Sequence, residues 1–475
     1  MKKSYVKLFA LLLALSVLFA GLLTGCASTS QTPAPTQPAT DTPAPAAATP
    51  APAAETPVPA AATATPEATP AAPAQKIQVV LLTRWSGADA NGATLQQLVS
   101  EFNAQHNDIE IVDQSIADGD AYMNKISAAI GTGALPNIFQ VWGEGYDYAK
   151  NGLLLDMTPY YDADKEWSGG FLPGLTAAVG QYPGMDGLYV VPMETNFEVW
   201  YYNTDLFTKA GIDKAPDTWD EFLADIQKLK DAKIVPCATG GKDAWRLAHI
   251  FNGLMHRNVG VQTSLDLGIG KTKFTDANIV DTIGLLKKLV DVGAFDKNFL
   301  GIDYTSEQAN FFAGKAAMTY NGTWFNGSVA DSDIKGKIKQ FLMPIINPQF
   351  ADNNVGYSNG WVVSNLIKDE AEKNATIEVM KYLSSAYATN LFVQNVKRPS
   401  TRTDIATDIN TVDPLLSEIM TLFKDNVKVQ GGDVSDYTRK AKMAPIIQNG
   451  LVSIAMGDMT PEQIAQQWDA EMQKD

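Results

Sequence analysis

A chain of 475 residues, 45% of them hydrophobic, carries more apolar material than one ordinary core absorbs and suits at least two compact bodies. A formal charge of −16 makes it a poor candidate for nucleic acid or for anionic lipid surfaces. With two cysteines and three histidines, it has neither a disulfide framework nor a zinc template such as His-Glu-x-x-His or Cys-x-x-Cys.

Lys2, Lys3 and Lys7 precede an apolar run, Leu8 to Leu23, of the length of a signal h-region. The run ends in Leu23-Thr24-Gly25-Cys26, which resembles the bacterial lipobox, where the cysteine is lipidated and begins the mature chain. Residues 1–25 are therefore expected to be a lipoprotein signal peptide and Cys26 the lipidation site. Cys237 then has no partner for a disulfide. Ala27 to Pro73 is almost entirely Ala, Pro and Thr, with Asp41, Glu55 and Glu67 as its only charges. It lacks the aromatic and aliphatic groups of a core, so residues 26–75 read as a disordered, polyproline-rich tether reaching on the order of 100 Å.

From Lys76 the pattern changes. Ile77–Leu82 reads as a buried strand, and Leu95, Leu98, Val99 and Phe102 form one helical stripe. Ile109–Val112 is a second strand. Tyr122, Ile126, Ala129 and Ile130 mark a helix expected to stop at Gly131, and Ile138–Trp142 is a third strand. Strand and helix alternate, which argues for a parallel sheet with ligands beyond the carboxyl ends of its strands. Tyr189–Tyr202 is β-rich, with Glu194, Asn196 and Glu198 at period two on one side. Thr218 and Glu221 form a capping box for the next helix. Ile234–Ala238 reads as a strand and Asp243–Asn258 as a helix. Ile279, Ile283, Leu286 and Val290 give another helix, ended by Gly293. A strand then leads through Gly322 to Trp324. Thr460-Pro461-Glu462-Gln463 caps the last helix.

Pro192, Tyr202, Asn203, Leu206, Phe207, Ala210, Gly211, Pro216, Thr218, Trp219 and Phe222 stand in an order that resembles the crossing motif of family 1 extracellular solute-binding proteins of ABC importers. That group includes the maltose-binding protein and sugar-binding lipoproteins. The segments Phe311–Trp324, Gly356–Ser364 and Arg398–Arg402 are similar to later parts of the family, so the likeness spans Lys76–Asp475. It implies an α/β, two-lobed periplasmic-binding-protein-like fold of type II. Each lobe would be a mostly parallel sheet flanked by helices, with three hinge crossings near Glu194–Val199, Lys339–Pro344 and Arg398–Thr403. The N-terminal lobe would comprise 76–195 and 343–398, the C-terminal lobe 196–342 and 399–475.

The resemblance further implies a carbohydrate ligand, sugar or oligosaccharide, captured between lobes and delivered to the transmembrane permease subunits of an ABC importer. Such a protein is a monomer, lipid-anchored at the extracytoplasmic face of the cell membrane, without catalysis, cofactor, metal or nucleic-acid partner. The identity of the sugar stays open, as does a polyol or sugar phosphate in its place.

Flat sugar rings call for aromatic plates with carboxylates, amides and guanidinium at their edges. Trp85, Trp142, Trp245, Trp324 and Trp361 each lie at a strand end or polar turn, and at least three are expected to face ligand. Trp200, Trp219 and Trp468 read as core. Carried over from the family, the ligand loops hold Trp85, Trp142 and Glu144, the crossing holds Glu194 and Asn196, and the second lobe's wall holds Trp324. Trp245, Trp361 and Arg398 match more loosely. Asp243 and Arg246 add polar candidates. His249 and His256 lie seven apart on a helix, too far to share a metal. Gly268-Ile269-Gly270-Lys271-Thr272 fails as a phosphate loop because Leu265 stands where the first glycine is required. Two other classes compete: a glycoside hydrolase using a pair from Glu144, Glu194 and Glu198, and a surface adhesion lipoprotein.

Overall fold

The computed structural model describes residues 76–474, apart from 88, 143, 183 and 441. The signal segment 1–25, Cys26 and the tether lie outside the described residues. Among the described residues no helix is long and apolar enough to cross a membrane.

Strand β1 (Ile77–Leu82) lies between β2 (Ile109–Asp113) and β3 (Ile138–Val141), parallel to both. Helix α1 (Ala90–Gln105) makes the first crossover. Asp89 caps it by accepting from the Gly92 N–H, and Leu95, Leu98, Val99 and Phe102 form its buried stripe. Helix α2 (Gly119–Thr132) makes the second crossover. It runs past the expected stop at Gly131 and ends at Gly133, whose φ of 69° provides the left-handed cap.

Strand β4 (Val191–Asn203) connects the two halves of the molecule. Helix α3 (Trp219–Asp231) follows with its capping box formed, then β5 (Val235–Ala238), α4 (Trp245–Asn258) and α5 (Tyr304–Phe312). Strands β6 (Ala316–Gly322) and β7 (Ile338–Phe341) precede β8 (Asn353–Val363), and helices α6 (Glu370–Leu383) and α7 (Ala386–Val396) come after it. The sheet order is β2-β1-β3-β8-β4-β6-β5, with β7 also on β4 and the short β9 (Val429–Gly431) on β8.

β4 belongs to both halves. Its residues to Phe197 pair antiparallel with β8, and from Glu198 on they pair with β6, from Trp200 also with β7. The register slips between Pro192 and Glu194, where proline has no N–H for the ladder. The buried side chains separate accordingly. Val79, Leu95, Ile138, Val191, Val363 and Val379 belong to one core; Trp200, Phe222, Leu254, Met318, Met343 and Trp468 belong to another.

The return crossing is carried by β8 and begins at Asn353, not near Lys339–Pro344. β7 is a strand of the second half, and Met343 is buried in that half's core because Ile345 pairs with the Asp217–Trp219 segment. The third crossing also ends later than Arg398. The Leu172 N–H donates to the Thr401 carbonyl at 2.9 Å, and the Arg402 guanidinium lies 4.7 Å from the Phe171 ring. Only at Ile409 does the chain join a core cluster of the second half.

Candidate functional site

Four ring side chains converge on one flank of the second half. Trp245 and His249, one helical turn apart on α4, stack edge-to-face with centroids 5.0 Å apart. Tyr304, at the start of α5, lies 5.0 Å from Trp245, and Trp324, just past β6, lies 5.5 Å from the His249 ring. Trp324 Nε1 donates to the Tyr304 hydroxyl at 3.0 Å, and that hydroxyl donates to Asn321 Oδ1 at 3.1 Å. Gly322 makes the placement possible: a Cβ there would overlap the six-membered ring of Trp324. The indoles of Trp245 and Trp324 remain partly exposed.

Arg246 braces this flank from behind. Its guanidinium forks onto Glu307 (Nε–Oε2 3.0 Å, Nη2–Oε1 2.8 Å) and lies 4.8 Å from the Trp245 ring and 5.0 Å from that of Tyr304. Both partners are buried, so this candidate polar contact is spent inside the protein.

The first half contributes residues from the carboxyl ends of its parallel strands. Trp142 follows β3, edge-to-face with Tyr122 at 5.9 Å. Arg84 follows β1, and its guanidinium carbon is 5.8 Å from the Trp142 ring and 5.7 Å from the Trp245 ring. One cation thus touches aromatic plates of both halves. Arg84 Nε is buried without a hydrogen-bond partner, and the burial lowers the guanidinium pKa despite the nearby Asp243. Glu144 sits beside Trp142, where burial pushes its carboxyl up to about 7, offset in part by backbone hydrogen bonds and by Arg84.

Polar groups line the base. Glu198 of β4 contacts His249 Nδ1, and Asp433, before the Val434 turn, accepts from Asn252 Nδ2 at 2.6 Å. Burial drives Glu198 up to about 8, His249 down to about 4 and Asp433 up to about 6. Among the described residues these three form the group whose spacing suits a metal ion, every ligand atom lying within 4.8 Å of the others. Flat rings with acceptors and donors at their rims can stack on apolar ring faces and hydrogen-bond hydroxyls.

The remaining sequence candidates lie elsewhere. Trp361, only 1% exposed, is edge-to-face with Trp85 at 5.4 Å, and Phe392 completes the cluster. The Arg398 guanidinium covers the Trp85 ring at 4.6 Å and pairs with Glu194 at 3.1 Å, while Asn359 Nδ2 donates to the other Glu194 oxygen at 3.1 Å. Trp85, Trp361, Glu194 and Arg398 therefore satisfy one another in the first half's core rather than joining the aromatic flank. Asn196 is fully buried between the two groups. Its Oδ1 accepts from Thr323 Oγ1 at 3.1 Å, and its Nδ2 has no partner.

Sequence reasoning missed Arg84, Tyr304, His249 as a wall residue, and Asp433. Two had a readable signal: Arg84 adjoins Trp85 in the loop after a strand, and His249 is four residues from Trp245 on a helix. Asp433 had none, because only tertiary contact brings it to β4.

Residues 85–389 match the family described as bacterial extracellular solute-binding protein. The multiple sugar-binding protein of Streptococcus mutans is 26% identical over 266 residues, 53% of this chain and 59% of that protein. This chain thus matches less than two thirds of that relative's length. An sn-glycerol-3-phosphate-binding periplasmic protein of Brucella melitensis is 27% identical over 319 residues, 64% of this chain and 71% of that one. Among solved structures, a chitin oligosaccharide binding protein superposes with a TM-score of 0.75 at 27% identity, covering 84% of this chain and 98% of the other.

Proposed function

Because this chain belongs to the bacterial extracellular solute-binding protein family, we propose that it captures a sugar or oligosaccharide between its halves and delivers it to an ABC importer permease. The observation that supports this best is the aromatic set drawn from both halves, Trp142 from one and Trp245, Tyr304 and Trp324 from the other, with Arg84 reaching both. Stacking on a ring from both sides gives the closed form contacts that the open form lacks, and that difference is what drives closure. Glu144, beside Trp142, supplies a hydrogen-bonding edge for hydroxyls. Asn196, at the crossing, positions Thr323 beneath Trp324. The protein works as a monomer held to the outer face of the membrane by lipid on Cys26, and it does no chemistry on its ligand.

A second ligand class is favoured by Arg84, whose buried Nε has no hydrogen-bond partner and suits a phosphate or carboxylate. Three acidic groups nearby, Glu144, Asp118 and Asp243, oppose it. Thermal-shift screening should include neutral oligosaccharides, uronic acids and sn-glycerol 3-phosphate. A neutral sugar that raises the melting temperature, and is recovered intact, supports the first reading. A response confined to the anionic compounds replaces it with the second, and hydrolysis of the sugar overturns the claim that no chemistry occurs.

A further inference from the structure

The base of the aromatic flank holds a group that hydroxyl recognition does not account for. Glu198 is fully buried on β4, in the part of the strand that pairs with β6. One of its oxygens contacts His249 Nδ1. The other, Oε2, is buried and accepts no well-formed hydrogen bond, although the Tyr320 and Tyr357 phenols lie beside it; the Tyr320 hydroxyl is equally without a partner. Asp433 comes from a third segment, more than two hundred residues from Glu198 in sequence, and is the most accessible of the three. Two carboxylates and an imidazole nitrogen, all within 4.8 Å of one another, are brought together by three separate elements.

We propose that Glu198, His249 and Asp433 form a binding site for a first-row divalent cation beside Trp245 and Trp324. One imidazole with two carboxylates favours zinc, cobalt or manganese over calcium or magnesium, which prefer all-oxygen shells. Two carboxylates neutralise the ion's charge. A four-coordinate ion with bonds of about 2.0–2.2 Å asks its donors to stand roughly 3.4 Å apart. The outer contacts are already built. Asn252 donates to Asp433 Oδ1 at 2.6 Å and accepts from the Val434 N–H at 3.0 Å, fixing the carboxylate. Asn252 stands three residues after His249 on α4, so one helix supplies both a ligand and the amide that aims another. The His249 ring packs edge-to-face on both Trp245 and Trp324, so an ion held by it would lie beside the aromatic flank.

The test uses the full, untagged chain stripped with a chelator and titrated with cobalt(II) alone. The proposal expects one equivalent to bind, with visible absorption of a four- or five-coordinate ion. His249→Gln and Asp433→Asn should each weaken binding at least tenfold, and Asn252→Ala should weaken it by about tenfold. A reading that does not depend on any variant folding comes from copper(II) and electron paramagnetic resonance on the wild-type chain. It should show hyperfine coupling to a single imidazole nitrogen. Absence of stoichiometric binding, binding indifferent to His249 and Asp433, or a spectrum with no imidazole or with two, would each overturn the site. None of these outcomes bears on the carbohydrate reading, which the sugar panel tests separately.

Discussion

Gly322→Ala is the sharpest probe of the aromatic flank, because it leaves the indole in the protein and moves it. The backbone at Gly322 has φ −99° and ψ 175°, an extended conformation open to alanine, so the substitution strains nothing locally. Its methyl group would overlap the six-membered ring of Trp324, which must retreat by roughly 1.5 Å to regain ordinary contact. That retreat breaks the hydrogen bond from Trp324 Nε1 to Tyr304, a loss of about 0.5–1.5 kcal/mol, and spoils stacking on a ligand ring, worth about 0.5–1.5 kcal/mol more. The hydrogen bond exists without ligand, so only the stacking loss enters binding, and affinity for whichever sugar the thermal screen identifies should fall by about 0.5–1.5 kcal/mol, roughly 2- to 13-fold. Stability should change by less than about 1 kcal/mol, since alanine is slightly favoured over glycine in a strand. Isothermal titration on wild type, Gly322→Ala, Trp324→Ala and the double variant separates the effects. If the ring is the agent, Gly322→Ala costs nothing further once Trp324 is gone. Unchanged affinity in the single variant, or an undiminished loss in the double, refutes the reasoning.

Three further outcomes follow from the same geometry. Glu194→Ala strands the buried Arg398 guanidinium and should destabilise the fold by about 3–5 kcal/mol in denaturant titration, whereas Glu194→Met with Arg398→Met should recover most of that loss; equal losses in both would show the pair is not what matters. Glu144 has a folded pKa raised from 4.5 to about 7, so its stabilising contribution is complete below pH 4.5 and is lost as pH rises through 7. Glu144→Gln should therefore match wild type near pH 4 and exceed it by on the order of 2–3 kcal/mol at pH 8, and a gap that does not depend on pH would contradict the burial argument. Small-angle scattering of a chain beginning at Lys76 should give a smaller radius of gyration with saturating ligand than without, and an unchanged profile would count against closure between the halves.

Much of the architecture could be read locally because local rules govern it. The stripe Leu95, Leu98, Val99, Phe102 became α1, and Thr218 with Glu221 became a formed capping box. The period-two set Glu194, Asn196, Glu198 did share one strand, and all three are buried. Trp200 and Trp468 are fully buried, as their strand and helix contexts imply. Helix ends and crossings were less exact. Gly131 and Gly133 are both plausible stops, and only the chain's path decides which adopts positive φ. β7 reads Ile-Lys-Gln-Phe and β8 mixes asparagine, serine and glycine with its apolar end, and nothing within either says which half it will join.

What sequence by itself determined about this protein is therefore its elements, the family motif around Pro192–Phe222 and a shortlist of tryptophans at strand ends. Which tryptophans remain available to a ligand was decided by tertiary structure alone. Trp85 and Trp361 have the same polar, glycine-flanked context as Trp142 and Trp324, yet Trp85 is covered by Arg398 and Phe392 from a segment some three hundred residues downstream, and Trp361 is buried edge-to-face against Trp85. Glu194 and Glu198 are alike in sequence, four residues apart on one strand face, but one meets Arg398 and the other meets His249. Burial and pairing depend on what arrives from distant parts of the chain, and a strand's own pattern records only that a side is turned inward, not what it will find there.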